Sequence, residues 1–203
     1  MTIALVAETA APARRATARS IDAAETAKLI RKRLKVAFPG TKFSVRTSRY
    51  TGGASIDVRW TDGPTDTMVS AVTKPYQGGG FDSSIDLAYS SEAYLTADGR
   101  AVFASTEGTE GSMGSVSAGR AWMPEPGCER VRFSVNFVFT TRQFSRRMCE
   151  SALAAHGRKW GEDDVKDVKL TGSDRYGWSL DAADWANHQR VNQTLARRMI
   201  AGR

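Results

Sequence analysis

Apolar residues near the beginning of the chain recur with a helical period. Between residues 20 and 38 they lie three or four positions apart, which predicts an amphipathic helix with one buried stripe. The stripe consists of Ala23, Ala27, Ile30, Leu34 and Ala37. Ser20 is the predicted N-cap, and Pro39 with Gly40 is predicted to end the helix.

The period changes to two after this helix. Apolar and polar residues alternate over residues 42–60, and Gly52 with Gly53 interrupts the alternation. This pattern predicts a β-hairpin with one buried face and one solvent-exposed face. A second helix is predicted to begin at Pro64 or Thr65.

The middle of the chain has a weaker pattern. Residues 91–127 are rich in Gly and Ser, so we expect loops and short strands, with a hairpin turn at Asp98 and Gly99. Residues 131–139 then alternate regularly, which is the strongest strand pattern in the chain. We expect them to form one strand at the centre of a sheet.

The last part of the chain returns to helical spacing. Ser145 is the predicted N-cap of a helix that runs to about Trp160. A short strand around residues 168–170 and a final helix over residues 183–201 are predicted to follow.

These elements predict an α+β fold, with an antiparallel sheet and helices packed on one face. Residues 175–181 weakly resemble residues 49–57, which indicates either two helix-hairpin-helix units or chance similarity. The predicted organisation is a flexible basic tail at 1–19, an α+β unit at 20–90, an acidic Gly/Ser-rich middle at 91–127, and a second α+β unit at 128–203, continuous with the first.

The net charge of +7 is unevenly distributed. Residues 1–75 carry a net +7, residues 76–127 a net −5, and residues 128–203 a net +5. Basic flanks favour an anionic partner such as nucleic acid. Solvation of helix faces by lysine and arginine is the alternative interpretation.

Other features bear on where the protein acts. No apolar run reaches the roughly 20 residues of a membrane-spanning helix, so we expect no membrane association. The first residues have an apolar patch before their arginines, the reverse of a secretory signal, which favours the cytoplasm. Cys128 and Cys149 fit a reducing compartment, although a disulfide between them stays open. The oligomeric state is open as well.

Seven residues of the first helix and hairpin are the predicted contacts with nucleic acid or with a protein partner. They are Arg31, Lys32, Lys35, Arg46, Arg49, Tyr50 and Arg59. The cations would attract phosphate or another anionic surface, and the tyrosine ring could stack on a base. Trp60 is assigned to the core because it lies in the apolar alternation.

Catalytic patterns are weaker, so a non-enzymatic binding function is favoured. Cys149 and His156 would share a face of one helix, which permits a thiolate and base pair, although a buried structural cysteine is the commoner case. The spacing of His and Cys predicts no zinc site, and no cofactor is predicted. The alternative is a metal-dependent enzyme acting on nucleic acid or nucleotides. Its candidate ligands are Asp57, Asp62, Asp82, Asp86 and Asp181.

A longer stretch carries a family resemblance. The run TAKLIRKRLKVAFPGTKFSVRTSRYTGGASIDVRWTDGPT, followed by Lys74, Pro75 and Tyr76 and then by Phe81 and Asp82, resembles the large polyvalent protein-associated domain numbered twenty-nine. The resemblance covers residues 24 to about 90, and VRFSVNFVFTTRQFS is similar to sequence found downstream in such proteins.

The resemblance implies a phage, plasmid or integrated-element origin. Such domains occur in proteins thought to counter host defences, such as restriction or CRISPR systems, or to protect incoming DNA. The expected partners are therefore a host defence complex or nucleic acid. The resemblance assigns no catalytic residue.

Overall fold

A computed structural model describes residues 18–199 of the chain. The predicted tail over residues 1–19 lies outside this range except for its last two residues, and Arg19 begins a strand. The helices are α1 (Ala23–Ala37), α2 (Asp66–Thr73), α3 (Arg146–Trp160) and α4 (Trp185–Arg197). The strands are β1 (Arg19–Ile21), β2 (Phe43–Tyr50), β3 (Gly53–Thr61), β4 (Gly79–Asp82), β5 (Leu87–Leu95), β6 (Ala101–Thr106), β7 (Gly119–Arg120), β8 (Glu129–Phe133), β9 (Phe137–Gln143), β10 (Lys169–Ser173) and β11 (Gly177–Asp181).

The described strands form three sheets. One has the order β1-β8-β5-β6-β7 with β4 paired to β5, the second has the order β2-β3-β9, and the third is the β10-β11 hairpin. The α+β class is confirmed. The pairs β1–β8 and β3–β9 are parallel, and the other pairs are antiparallel.

Side-chain caps fix the helix starts. Ser145 caps α3, as the sequence predicts, and Thr65, one of the two predicted starts of the second helix, caps α2. The prediction that Ser20 caps α1 is wrong, because Ser20 lies in β1, opposite Arg132. Asp22 is the N-cap instead, and its carboxylate accepts a hydrogen bond of 2.7 Å from the backbone N–H of Glu25.

The larger core combines residues of α1, α2, the β1-β8-β5-β6-β7 sheet and one face of the β2-β3-β9 sheet. Ile30 and Leu34 of α1 are fully buried against Val45, Val58 and Trp60 of the hairpin. The helices therefore cover the face of this sheet that carries the apolar alternation, which is the arrangement expected from the sequence.

The alternating run over residues 131–139 does not form one central strand, so this prediction is wrong. The chain bends at residues 134–136 and places β8 inside one sheet and β9 at the edge of another. At the bend, the N–H of Ser134 donates to Ile21, that of Asn136 donates to Ala54, and the carbonyl of Val135 accepts from Gly78. Three separate segments thus form hydrogen bonds with the backbone groups at the bend. In a continuous strand, these groups would have bonded to the neighbouring strands instead.

The bend also reverses which side chains are buried. Val131 and Phe133 are buried before it and Val135 is buried within it, whereas Val138 is buried after it and Phe139 is 50% exposed. The period of two is kept within each strand but shifts by one residue between them.

The rest of the chain completes one sheet and forms a second core. β5 and β6 make a hairpin whose turn holds Asp98 and Gly99, as the sequence predicts. α3 and α4 pack on the β10-β11 hairpin around a smaller core, with Met148, Leu180 and Leu195 at its centre. The element order here is helix, hairpin, helix, as it is for α1 to α2. An origin by duplication stays a prediction.

Candidate nucleic-acid interface

The β2-β3-β9 sheet has a second face, which we call the outer face. It consists of the residues that alternate with the buried ones: Ser44, Arg46, Ser48 and Tyr50 of β2, Ser55, Asp57, Arg59 and Thr61 of β3, and Phe137, Phe139, Thr141 and Gln143 of β9. Because α1 and α2 pack on the opposite face, most of these side chains are exposed to solvent.

Aromatic rings lie on the outer face. Phe137 and Phe139 are stacked, with their ring centroids 5.7 Å apart and their planes at 21°. Phe139 is 50% exposed, and Tyr50, at the turn end of β2, is 47% exposed. Exposed apolar patches larger than single side chains often mark binding surfaces.

Two arginines flank these rings. The register places Arg46 of β2 opposite Asp57 of β3, and Asp57 opposite Phe139 of β9. Arg59 lies two residues beyond Asp57 on the same face, diagonal to Phe139. Within residues 18–199 neither arginine forms an ion pair with a carboxylate. The outer face therefore combines free cations with rings that offer a stacking surface.

The structure brings together only part of the set predicted from the sequence. Arg46, Tyr50 and Arg59 share the outer face. Arg49 lies at the end of β2 in the register of the buried face. The α1 cations belong to a helix on the other side of the sheet, where Lys32 and Lys35 are exposed.

Arg31 has a structural contact. Its guanidinium donates a hydrogen bond of 2.6 Å to the carbonyl of Val45, in the edge strand β2. It joins α1 to the sheet, so at least one of its nitrogens is already engaged by the protein itself.

Sequence reasoning missed Phe137 and Phe139. The alternation over residues 131–139 predicts a single central strand, in which both rings share the phase of Val131 and Phe133, so neither ring is among the predicted contacts. The available signal was Val138, an apolar residue in the polar phase of that alternation, which the structure places in the core.

The acidic residues considered as metal ligands lie apart and have other partners. Asp62 accepts hydrogen bonds from the backbone N–H and the hydroxyl of Ser145, at 2.8 and 2.6 Å. Asp82 is buried and accepts from Thr109 and from the backbone of Val116, and hydrogen bonding, chiefly from Ser84, lowers its pKa. Asp86 holds a positive φ of 56° in a turn. Within residues 18–199 no three acidic, His or Cys side chains are grouped to hold a metal ion.

Asp57 and Asp181, the remaining two candidates, are also separate. Asp57 is on the outer face, whereas Asp181 ends β11 with a carboxylate oxygen 3.2 Å from His188 Nδ1. The structure thus distributes the five aspartates over different elements.

Cys149 and His156 are both fully buried in α3. Burial raises the pKa of the Cys149 thiol to about 11, so it is protonated at neutral pH and has little nucleophilic character. Cys128 and Cys149 are free, which resolves the question of a disulfide between them.

Comparison with known proteins gives one result. The family model described as Large polyvalent protein associated domain 29 matches residues 21–145. No curated protein and no solved structure matches the chain significantly. None of the described helices has the length and apolar character needed to cross a bilayer. The matched range contains the whole outer face and ends at the N-cap of α3.

Proposed function

The chain belongs to the family described as Large polyvalent protein associated domain 29, and on this premise we propose that it is a phage or plasmid accessory protein that binds single-stranded nucleic acid on its outer face. Its proposed place of action is the cytoplasm of the bacterial host. The observation that carries the proposal is the stacked pair Phe137 and Phe139 on the outer face, of which Phe139 is half exposed and Phe137 is partly buried.

The chemistry of the face supports a single strand rather than a duplex. Exposed aromatic rings on a sheet stack on unpaired bases, and each such contact contributes about 1–3 kcal/mol. Bases in a duplex are already stacked and offer only their edges. Arg46 and Arg59 supply charge for the backbone phosphates, and Tyr50 extends the stacking surface toward the β2–β3 turn.

The test is binding of a short fluorescent oligonucleotide, measured by anisotropy, to the full chain and to a Phe137→Ala/Phe139→Ala variant. We expect the variant to bind about tenfold to 100-fold more weakly, in line with the loss of one or two stacking contacts. Tyr176→Ala is the matched control, because this ring is 73% exposed but lies on the β10–β11 turn. The wild-type chain should prefer single strands of DNA or RNA to the duplex.

Two results would contradict the proposal. One is equal affinity of the wild-type chain for single strands and duplex with no effect of the double substitution. The other is an equal loss in the Tyr176→Ala control. A salt dependence with a slope near −1.4 is expected if Arg46 and Arg59 each neutralise one phosphate of a single strand, at about −0.7 for each contact.

A host defence complex is the second candidate partner, and a different surface favours it. Trp122 is 94% exposed and Met123 is 49% exposed, on the loop between β7 and β8. Exposed tryptophan is the residue type most enriched at the energetic centres of protein interfaces. A Trp122→Ala variant that loses protection of a phage in a defence-competent host, yet binds oligonucleotides normally, would support this candidate. Unchanged protection of the phage by Trp122→Ala would contradict this second candidate.

A further inference from the structure

A basic groove lies in the part of the chain that the family model does not match. It has a volume of about 410 Å³ and runs between the last turns of α3 and one side of α4. Lys159 and Trp160 line it from α3, and Arg190, Thr194 and Arg197 line it from α4. Arg198, just after α4, also lines the groove.

The groove is strongly cationic. No carboxylate is among its lining residues. Within residues 18–199, Lys159 and Arg197 form no ion pair, whereas Arg190 pairs with Asp164 at 3.6 Å. Lys159 on the α3 side and Arg197 on the α4 side are therefore unpaired, Arg190 of α4 is partly neutralised, and a concave surface with this charge concentrates anions.

Arg190 has an unsatisfied donor at this place. Its Nε is buried and makes no hydrogen bond to the described residues. A buried donor without a partner is costly in a folded protein, and a bound water or anion is one way to satisfy it. Because the guanidinium offers a planar set of donors, an oxyanion with several acceptor oxygens suits it well.

Trp160 adds an aromatic surface to the charge. It is 48% exposed, and the Lys159 ammonium and the Arg190 guanidinium lie 4.9 and 5.7 Å from its ring centroid. Both cations therefore lie over the ring, and a flat group can contact the part of the indole that they leave exposed. A ligand that contacts the cations and the indole together needs an anionic part and a flat part next to it.

We propose that this groove binds a nucleotide unit, with the phosphate on Lys159, Arg190 and Arg197 and the base against Trp160. The ligand chemistry is a phosphate joined to a nucleobase, which a free nucleotide and a nucleic-acid strand both supply. The site is separate from the outer face, shares no residue with it, and does not depend on the function proposed for that face.

The test is calorimetric titration of the full chain with ATP, with inorganic pyrophosphate and with adenosine. A Lys159→Glu/Arg197→Glu variant is expected to weaken ATP binding at least tenfold. Trp160→Leu is expected to weaken ATP severalfold and to leave pyrophosphate unchanged. Arg158→Glu is the matched control, since this exposed cation is the neighbour of Lys159 but does not line the groove.

Four outcomes would overturn the proposal: no saturable ATP binding, adenosine binding as tightly as ATP, an equal loss in the Arg158→Glu control, or displacement of ATP by polyglutamate as readily as by pyrophosphate. The Phe137→Ala/Phe139→Ala variant should bind ATP normally, which separates this site from the outer face. Displacement of ATP by an oligonucleotide would show that the groove binds a nucleic-acid strand. If the oligonucleotide does not displace ATP, the groove binds free nucleotides. Both results support the proposed site.

Discussion

Asp57 is the one acidic side chain on the outer face, where the register places it between Arg46 and Phe139. If phosphates approach this face, its carboxylate repels them. At roughly 8 Å in water a charge pair interacts by about 0.5 kcal/mol, so Asp57→Asn should strengthen oligonucleotide binding about twofold. Raising the salt concentration should shrink this gain.

Anisotropy at low and at physiological ionic strength measures the effect. Asp66→Asn is the control, since this exposed carboxylate lies in the first turn of α2, in the helix layer on the opposite side of the sheet. Weaker binding by Asp57→Asn would instead mean that the carboxylate accepts a hydrogen bond from the ligand, and the electrostatic interpretation of the face would then be wrong.

Cys149 gives a pH-dependent contribution to stability. Burial raises the pKa of its thiol from an ordinary 9.0 to about 11, so the unfolded chain releases this proton first as the pH rises. The contribution is complete below pH 9 and falls between pH 9 and pH 11. Chemical denaturation across this pH window should show that the free energy of unfolding falls more steeply with pH for the wild-type chain than for Cys149→Ala.

The comparison with Cys149→Ala is needed because Tyr76 also makes stability depend on pH in the alkaline range. Its buried hydroxyl has a pKa raised to about 12, chiefly by desolvation, so it also destabilises the folded state at high pH. The contribution of Tyr76 is common to the wild-type chain and to Cys149→Ala, so it cancels in the difference between their free energies of unfolding. Identical slopes for wild-type and Cys149→Ala would show that the thiol is not protected in the folded state.

At the scale of residues, charge was easier to predict than orientation. Arg46, Tyr50 and Arg59 could be placed on an exposed face because the alternation of the hairpin is regular from Phe43 to Trp60. Phe139 could not, because its orientation depends on a one-residue shift at a bend. Hydrogen bonds from distant segments produce that bend, and local periodicity carries no information about them.

Arg142 connects elements of the two cores. From β9 its guanidinium donates to the carbonyls of Asp62 and Gly63 at 3.0 Å each, and to those of Ala196 and Arg198 at 3.0 and 2.6 Å. The second pair lies at the end of α4, where a cation also favours the helix dipole.

Arg142→Ala should therefore loosen α4 more than any other helix and destabilise the protein by about 2–4 kcal/mol, given the strength of charged hydrogen bonds. Hydrogen exchange followed by mass spectrometry should show faster exchange over residues 185–197, the range of α4. Arg147→Ala on the exposed side of α3 is the control. Unchanged exchange in α4 would mean that packing on Leu195 alone holds this helix.

Elements with local signals were predicted well. Thr65 and Ser145 are followed by helical apolar spacing, and both are N-caps. The start of α1 was misplaced by two residues because Ser20 and Asp22 are both good caps, and the choice depends on β1 pairing with β8, far along the chain. Parallel partners cannot be read from adjacent sequence, so β1–β8 and β3–β9 were not foreseen.

At the scale of the whole molecule, the two largest buried clusters predict two levels of stability. Ile56 is buried in the larger core and Leu180 in the smaller one. Replacing either by Ala should cost about 2–5 kcal/mol. We expect Leu180→Ala to increase hydrogen exchange in α3, α4 and β10–β11 only, and Ile56→Ala to increase exchange throughout. An equal increase everywhere for both variants would show a single cooperative unit, and the division between the two cores, which falls between β9 and α3, would then have no energetic meaning.

The parallel pairing of β3 with β9 has a consequence for synthesis of the chain on the ribosome. Asn136, at the start of this pairing, binds the Gly52 carbonyl across 84 positions of sequence. At about 5–20 residues per second, β3 emerges roughly 4–17 s before its neighbour. During that interval its Ile56 and Val58 side chains and one row of backbone groups lack the strand that will pair beside them. Nascent chains arrested before residue 137 should therefore be captured by chaperones that bind unpaired strands, and chains arrested well beyond residue 143 should escape them.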